Sequence, residues 1–333
     1  MFGGRFFRRR RTFSVGSLSD SSPKPSRYES SKQNDQVYLL RPGTNPQVDV
    51  VFFHGLPEKE KDAAETYWKI WTHRDDEENC WPITMLPENL MTKKKEDDSL
   101  GYDPRVLAVS WNSNLELPEN VGNRETDEYL LTGNLTQNLI LRDVSLGQDR
   151  PVILAGHDLG GILIKQFIVF VEKKAAVATG VDKEKLTKFL DNLGAVFFYS
   201  TPHSGSTAIQ NVAKSLSKTT KNQMLQFMKV LGKEMGRVNQ HFSNYRLSGN
   251  SRKFRTYAVT AIDLTQRRYF KDQLVCVEGS TRNGIDDSYW IFSDHYGVTR
   301  PDHPKSTILT MLSDSIVEAV DTFREKGISR AIG

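Results

Sequence analysis

Residues 151–164 have the sequence Pro-Val-Ile-Leu-Ala-Gly-His-Asp-Leu-Gly-Gly-Ile-Leu-Ile. An apolar β-branched run, a glycine-flanked turn and a second apolar run predict a buried strand, a sharp turn and a helix. Gly156 and Gly160 suit such a turn, because a side chain at either position would clash with the neighbouring strand or helix. Asp158 stands between them, and we expect its backbone to be strained and its side chain to point out of the carboxyl edge of the sheet.

The rest of the chain alternates between strand-like and helix-like segments. Short apolar runs predict strands at residues 37–40, 48–53, 106–111, 152–155, 195–199, 256–262 and 274–277. Helices are predicted at residues 63–72, 128–144, 160–174, 183–192, 208–240 and 306–324. Several strand segments are apolar on both faces, as in a parallel sheet covered by helices on both sides. The pattern predicts a doubly wound, mostly parallel α/β sheet.

A strand, a tight glycine-flanked turn and a helix in such a sheet are the signature of the nucleophile elbow of the α/β-hydrolase fold. The elbow of an esterase carries serine at its centre, and here the centre is Asp158. In this fold two backbone N–H groups form the oxyanion hole, one just after the nucleophile and one in the loop after an earlier strand. These donors would be Leu159 and, after the strand that ends in His54-Gly55, Leu56.

The fold places the nucleophile, the acid and the histidine in that order along the chain. Asp263 follows the predicted strand at residues 256–262 and is the preferred acid; the alternatives are Glu278, Asp286 and Asp287. His295 and His303 both precede the last predicted helix. His295 is preferred because it follows an apolar segment, whereas a polar loop role is expected for His303.

Further motifs occur in a fixed order around the elbow: His54-Gly55-Leu56, Cys80-Trp81-Pro82, Arg105-Val106-Leu107, Thr201-Pro202-His203 with Gly205-Ser206, and Asp294-His295 through Arg300-Pro301. Together they resemble the serine-active-site-containing lipase-like family, related to the inositol-deacylase branch of the α/β hydrolases, over roughly residues 48–325. The resemblance implies hydrolysis of lipid-like acyl esters and supports Asp263 and His295 as acid and histidine. We expect His54, Gly55, His157 and His203 around the pocket, and no cofactor or metal.

Asp158 departs from the family pattern, and three interpretations stay open. A carboxylate is a poor acyl-transfer nucleophile, because the tetrahedral adduct expels it more readily than an alkoxide. The fold could therefore bind a ligand without turnover. Asp158 could instead displace a leaving group at a saturated carbon, as in epoxide hydrolases and dehalogenases, although Leu159 stands where a halide-binding tryptophan would follow. The third interpretation is residual esterase activity through Ser204, Ser206 or water.

The charge distribution separates a basic tail from the rest of the chain. Residues 1–34 carry a net charge of +6, which leaves −2 for the rest of a chain whose net charge is +4. We expect residues 1–35 to be a disordered Ser/Arg-rich tail and residues 36–333 to be the α/β-hydrolase domain, with residues 204–251 as a lid-like insertion or a surface helix pair. The tail indicates organelle targeting or peripheral membrane contact rather than nucleic-acid binding. Mitochondrial, plastid and cytoplasmic locations stay open.

Two further features limit the class of protein. Cys80 and Cys276 are the only cysteines, so no disulfide framework is expected and reduced thiols are preferred. The longest apolar run, residues 160–171, is interrupted by Lys165 and Gln166 and predicts a buried helix rather than a membrane span. The expected partner is a small-molecule or lipid-like ester ligand.

Overall fold

The computed structural model describes residues 31–94, 99–111, 113, 131–206, 233–248, 253–263 and 284–332. Its seven strands are β1 (Val37–Arg41), β2 (Val48–Phe53), β3 (Pro104–Val109), β4 (Val152–His157), β5 (Leu193–Tyr199), β6 (Arg255–Ala261) and β7 (Asp287–Ile291). They form one sheet in the order β1-β3-β2-β4-β5-β6-β7. β1 pairs with β3 in antiparallel register, and the other neighbours are parallel. The predicted mostly parallel α/β sheet is confirmed.

The last strand differs from the prediction. The strand predicted at residues 274–277 lies outside the described residues, and β7 is formed by residues for which no strand was predicted. Its residues alternate between half-buried and exposed, because within the described sheet β7 is an edge strand that pairs with β6 on one side only. An edge strand needs fewer apolar residues than the fully buried β2 and β4, so its sequence pattern is weak.

The described helices are α1 (Thr66–Lys69), α2 (Met85–Thr92), α3 (Leu159–Val177), α4 (Gly180–Asp191), α5 (Lys233–Arg246) and α6 (Thr307–Ile332). The short α2 was not predicted. A 3₁₀ segment, Glu60–Glu65, replaces the first part of the helix predicted at residues 63–72. Residues 131–136 are helical and lead into a π-helical turn, Gln137–Leu141. The helix predicted at residues 208–240 lies partly outside the described residues, and α5 extends beyond its predicted end.

Helices cover both faces of the sheet. On one face α3 lies so close to β4 that a Cβ on Gly156 would be 2.7 Å from the Cα of Gly161. On the other face, a Cβ on Gly194 of β5 would be 2.7 Å from the Cβ of Ala319 in α6 and 3.4 Å from Ile153. α4 and α5 pack against α3, and α2 packs against α6. The core is therefore a helix–sheet–helix sandwich, with the carboxyl ends of the parallel strands at one edge.

The apolar run around Lys165 is the core helix α3, as predicted, and Lys165 itself is buried. Among the described residues, no helix combines the length and the apolar character that crossing a membrane would require. Cys80 is buried, and Cys276 lies outside the described residues.

Candidate active site

The strand–turn–helix unit around Asp158 has the predicted form. β4 ends at His157, α3 begins at Leu159, and Asp158 between them has φ 51° and ψ −121°. Residues other than glycine rarely adopt such a conformation, and strain of this kind is concentrated at functional sites. The amide of Asp158 donates a hydrogen bond to the carbonyl oxygen of Tyr199 across 2.9 Å, which ties the turn to β5.

Glycines hold this turn because neighbouring groups pass too close for a side chain. A Cβ on Gly160 would overlap the carbonyl oxygen of Phe53, and one on Gly161 would overlap the side chain of Thr201. Gly156 faces Gly161 in the same way. A strained turn at the carboxyl edge of a mostly parallel sheet, leading directly into a buried helix, is the nucleophile elbow. The chain has the α/β-hydrolase fold. As in other proteins with this fold, the site is expected where the elbow meets the loops that follow the strands.

The carboxylate of Asp158 accepts a hydrogen bond from one of the predicted oxyanion-hole donors, the N–H of Leu56. Asp158 is fully buried, and its Oδ2 accepts a hydrogen bond from the backbone N–H of Leu56 across 3.1 Å. A Cβ on Gly55 would be 2.5 Å from the Cβ of Asp158, so the loop after β2 approaches the elbow this closely only with glycine there. Leu159 is the first residue of α3, and its N–H has no partner within the helix. An α/β-hydrolase esterase would direct these two donors at the developing oxyanion.

His295 faces the other oxygen of the same carboxylate. Its Nε2 is 3.9 Å from Oδ1 of Asp158, and both side chains are buried. The separation exceeds a hydrogen bond but is close enough for an ion pair when the ring is protonated. His303 differs: its side chain is 58% exposed, and its Nδ1 accepts a hydrogen bond from the Lys305 amide across 3.2 Å. The structure therefore brings His295, and not His303, to Asp158.

The candidate acids are spread over both edges of the sheet. Asp263 follows β6 after one intervening residue, Ile262, and its amide donates to the carbonyl oxygen of Ser293 across 3.1 Å; Asp263 is exposed. Asp287 pairs with Tyr257 near the start of β6, and Asp286 precedes it, so both lie at the edge opposite Asp158. The structure therefore places Asp286 and Asp287 away from Asp158. Glu278 lies outside the described residues, and Asp263 stays a prediction.

An acidic residue beside His295 shapes the loop that carries the histidine. The carboxylate of Asp294 binds Arg74 through both oxygens, at 2.8 and 2.7 Å, and accepts hydrogen bonds from the amides of Tyr296 and Gly297. Burial alone would raise the pKa of Asp294, but the hydrogen bonds from Arg74 and Gly297 lower it below its ordinary value. Arg74 was not predicted from the sequence, because nothing local links it to a residue 220 positions away.

His54 fixes the loop that presents Leu56. Its Nδ1 donates to the carbonyl oxygen of Gly55 across 2.8 Å, and its Nε2 accepts from the amide of Trp111 across 3.3 Å. The indole of Trp111 donates to the carbonyl oxygen of His54 across 3.0 Å. Burial lowers the pKa of His54 to about 4, so the ring is neutral and both nitrogens are used. His54 therefore holds backbone in place rather than carrying charge in the site.

His203 lies behind the elbow, in the loop that follows β5. Its ring packs edge-on against Phe198 with centroids 4.7 Å apart, and it is fully buried. Burial and the neighbouring Lys165 hold the pKa of His203 well below its ordinary value. The predicted role of His203 at the pocket floor stays a prediction, since the structure describes it as part of a buried cluster with α3 and α5.

The chain resembles curated proteins along only part of their length. No family model matches it. It is 26% identical over 297 residues to Protein SERAC1 of Danio rerio, covering 84% of this chain and 40% of that protein. It is 28% identical over 193 residues to Protein SERAC1 of Mus musculus, covering 53% of this chain and 25% of that protein. The chain therefore spans two fifths or less of the length of these relatives.

Solved structures of similar fold include lipases and another α/β hydrolase. Bacillus licheniformis lipase BlEst2 in mature form has a TM-score of 0.42 at 15% identity, over 78% of this chain and 89% of that chain. The peroxisomal α/β-hydrolase Lpx1 of Saccharomyces cerevisiae has a TM-score of 0.42 at 12% identity, over 85% and 81%. The sheet order and the elbow geometry, rather than these low similarities, establish the fold.

Proposed function

We propose that this chain is a lipase/esterase-like α/β-hydrolase-fold protein that has lost acyl-ester hydrolysis and binds a small-molecule or lipid-like ester without turnover. The observation that carries the proposal is the 3.1 Å hydrogen bond from the Leu56 N–H to Oδ2 of Asp158. In an esterase, this donor stabilises negative charge that develops only on the way to the tetrahedral intermediate. Here it faces a carboxylate oxygen already in the resting protein.

The chemistry of Asp158 supports the same conclusion. Serine attacks an ester after histidine removes its proton, and the resulting alkoxide competes with the leaving alcohol. A carboxylate that attacks an ester forms an adduct that expels the carboxylate, because it is the better leaving group. Asp158 is fully buried, with one oxygen on Leu56 and the other facing His295, so both steps of acyl transfer are disfavoured.

The loss of hydrolysis is tested with chromogenic acyl esters of short and long chains. The purified native chain and Asp158→Asn are expected to show no turnover above buffer, whereas Asp158→Ser is expected to gain it. The double variant Asp158→Ser/His295→Ala controls for the histidine and is expected to lose the gained activity. Hydrolysis by the native chain that disappears in Asp158→Asn would overturn the proposal.

Ligand binding is tested with the same compounds, because a chain that does not turn an ester over can be titrated with it. An ester that Asp158→Ser hydrolyses is expected to raise the melting temperature of the native chain in a saturable manner. The absence of any saturable shift, at concentrations that saturate Asp158→Ser, would overturn the binding half of the proposal and leave the hydrolysis half standing.

A second candidate function follows from the orientation of the carboxylate. Oδ2 of Asp158 accepts the hydrogen bond from the Leu56 N–H, and Oδ1 lies 3.9 Å from Nε2 of His295. In this candidate, Oδ1 attacks a saturated carbon of an alkyl halide or epoxide. The halide leaves with the bonding electrons, or the epoxide ring opens and its oxygen takes a proton from water. His295 then takes a proton from a second water, whose oxygen attacks the carboxyl carbon of the alkyl ester, and it returns that proton to the alcohol oxygen as the alcohol leaves. In His295→Ala, mass spectrometry would detect the trapped ester on Asp158.

We propose peripheral membrane contact for the basic tail, on the basis of its charge. Residues 1–34 carry a net charge of +6, with phenylalanines between the arginines. Arginines near an anionic surface each add binding energy, and aromatic side chains enter the interface. The full chain is expected to sediment with vesicles that contain phosphatidylserine, and a variant without residues 1–34 is expected to remain in the supernatant. Equal sedimentation of both would contradict this proposal.

A further inference from the structure

Lys165 is a lysine of α3 whose ammonium position is enclosed by aromatic and amide groups. The side chain is fully buried, and its Nζ donates a hydrogen bond to Oδ1 of Asn239 in α5 across 2.8 Å. The same Nζ lies 5.3 Å from the ring centroid of Phe198 and 5.1 Å from that of Phe242. In the described part of the chain, no carboxylate pairs with Lys165.

Asn239 connects three parts of the molecule. Its Oδ1 binds Lys165 of α3, and its Nδ2 donates to the carbonyl oxygen of His203 across 2.6 Å. His203 belongs to the loop after β5, and Thr201 of that loop is the residue that packs against Gly161 of the elbow. One buried amide therefore holds α5 against α3 and against the loop behind the elbow.

This environment disfavours the charged form of the lysine. An ammonium group buried without a carboxylate loses most of its hydration, and two aromatic faces recover only part of it. Burial, together with the positive charge of Arg246, lowers the pKa of Lys165 to about 7. Two charged or titratable groups interact with Lys165: Arg246 of α5 and His203 of the loop after β5. The contact from β5 is the ring of Phe198, which carries no charge. A neutral amine can still donate the hydrogen bond to Asn239.

We propose that the contact between Lys165 and Asn239 is a pH-dependent latch that attaches α5 to α3, and that it holds more tightly as the solution becomes more alkaline. The latch depends on the exchange of a proton between the buried and the released lysine. It does not depend on the chemistry at Asp158.

The direction follows from the protons bound in the two states. The released lysine keeps its proton up to its ordinary value of 10.5, whereas the attached lysine keeps it only up to about 7. Between these values the released state binds more protons, so attachment strengthens by about tenfold per pH unit as the pH rises. Below about pH 7 the lysine is protonated in both states, so the strength of attachment no longer changes with pH. The latch is therefore weakest at neutral and acidic pH.

A second anchor keeps the opening local. Arg246, near the carboxyl end of α5, binds both oxygens of Asp286 at 2.8 and 2.9 Å, and both side chains are buried. Release at Asn239 is therefore expected to loosen α5 while its end remains attached to the start of β7.

Hydrogen exchange followed by mass spectrometry tests the latch on the full chain. After correction for intrinsic exchange, the protection of amides in residues 233–246 of the native chain is expected to rise by more than about tenfold between pH 7 and pH 9. Lys165→Met, which fills the same space without an amine, is expected to abolish the rise. Lys173→Met removes an exposed lysine from the same helix and is expected to behave as the native chain does.

Two outcomes would overturn the proposal. One is an equal pH dependence of α5 protection in the native chain and in Lys165→Met. The other needs no variant: in the native chain, α4 also packs against α3 but contributes no residue to the Lys165–Asn239 hydrogen bond, so it serves as an internal reference. If α5 protection changes with pH no more than that of residues 180–191, there is no latch.

Discussion

The Nε2 of His157 donates a hydrogen bond to the carbonyl oxygen of His295 across 2.8 Å. The two rings are also packed together, with centroids 4.6 Å apart. The residue before Asp158 thus holds the backbone of the histidine that faces Asp158, although 138 positions separate the two. Burial lowers the pKa of His157 to about 3, so the ring stays neutral and its role is to position the His295 loop.

Replacement of His157 by phenylalanine is expected to destabilise the protein by about 1–3 kcal/mol, because it leaves the buried His295 carbonyl without its donor while it keeps the ring packing. Urea unfolding at pH 7 measures the loss. His303→Phe is the control, since His303 is 58% exposed and its change is expected to have little effect. Equal stability of His157→Phe and the native chain would contradict the positioning role.

Gly160→Ala is expected to cost about 3 kcal/mol or more, or to prevent folding, because its Cβ would overlap the carbonyl oxygen of Phe53 in β2. Gly236 in α5 is the matched control, since a Cβ there would meet nothing within 4 Å. Gly236→Ala is expected to stabilise the helix by about 0.5–1 kcal/mol. Thermal unfolding of the two variants would show opposite shifts, and a tolerated Gly160→Ala would mean that the turn is less crowded than described.

Acid is expected to destabilise the protein through His54. The pKa of the buried ring is about 4 and its ordinary value is 6.5, so the unfolded state binds more protons between these values. The contribution of neutral His54 to the free energy of unfolding is fully present above pH 6.5. It falls by about 1.4 kcal/mol per pH unit as the pH drops from 6.5 toward 4. His54→Gln cannot take up the proton, so its stability is expected to depend less steeply on pH by that amount. His303→Gln is expected to keep the native dependence in the same urea series.

The ion pair between Arg246 and Asp286 is expected to contribute far more than an exposed pair. Asp286→Asn leaves a buried guanidinium without its carboxylate, and we expect a loss of about 3–5 kcal/mol. Glu318→Gln breaks the pair with Arg255, whose side chains are about half exposed, and we expect a loss below about 1 kcal/mol. Urea midpoints of the two variants at pH 7 compare them directly. Similar losses in both variants would show that burial does not distinguish these pairs.

The elbow was predictable because its determinants are local. A strand, three glycines and a buried helix fit within residues 151–177, and each glycine has a steric reason that any sequence of this pattern must satisfy. The chain order of the fold predicts a histidine before the last helix, and the structure places His295 with its Nε2 3.9 Å from Oδ1 of Asp158; its catalytic role stays a prediction.

The acidic residue of the site and the last strand were harder to predict from the sequence. The reason is that β7 lies at the edge of the described sheet and its residues are only partly buried. A strand placed too early moves Asp286 and Asp287 from the start of β7 into a loop, and so to the wrong edge of the sheet. The long-range contacts were not predictable at all. Leu56 and Asp158 are 102 positions apart, and Lys165 and Asn239 are 74 apart, so no periodicity in the sequence reports their contact.

The close approaches at Gly156, Gly160 and Gly161 affect how the residue at position 158 can be replaced during evolution. These close approaches are to neighbouring backbone, to Ile164 and to Thr201, and none of them involves the side chain of residue 158. Packing therefore preserves the elbow whether or not the protein catalyses anything. Chemistry can then be exchanged at a single position, and the surrounding architecture retains the form of a hydrolase without selection for turnover.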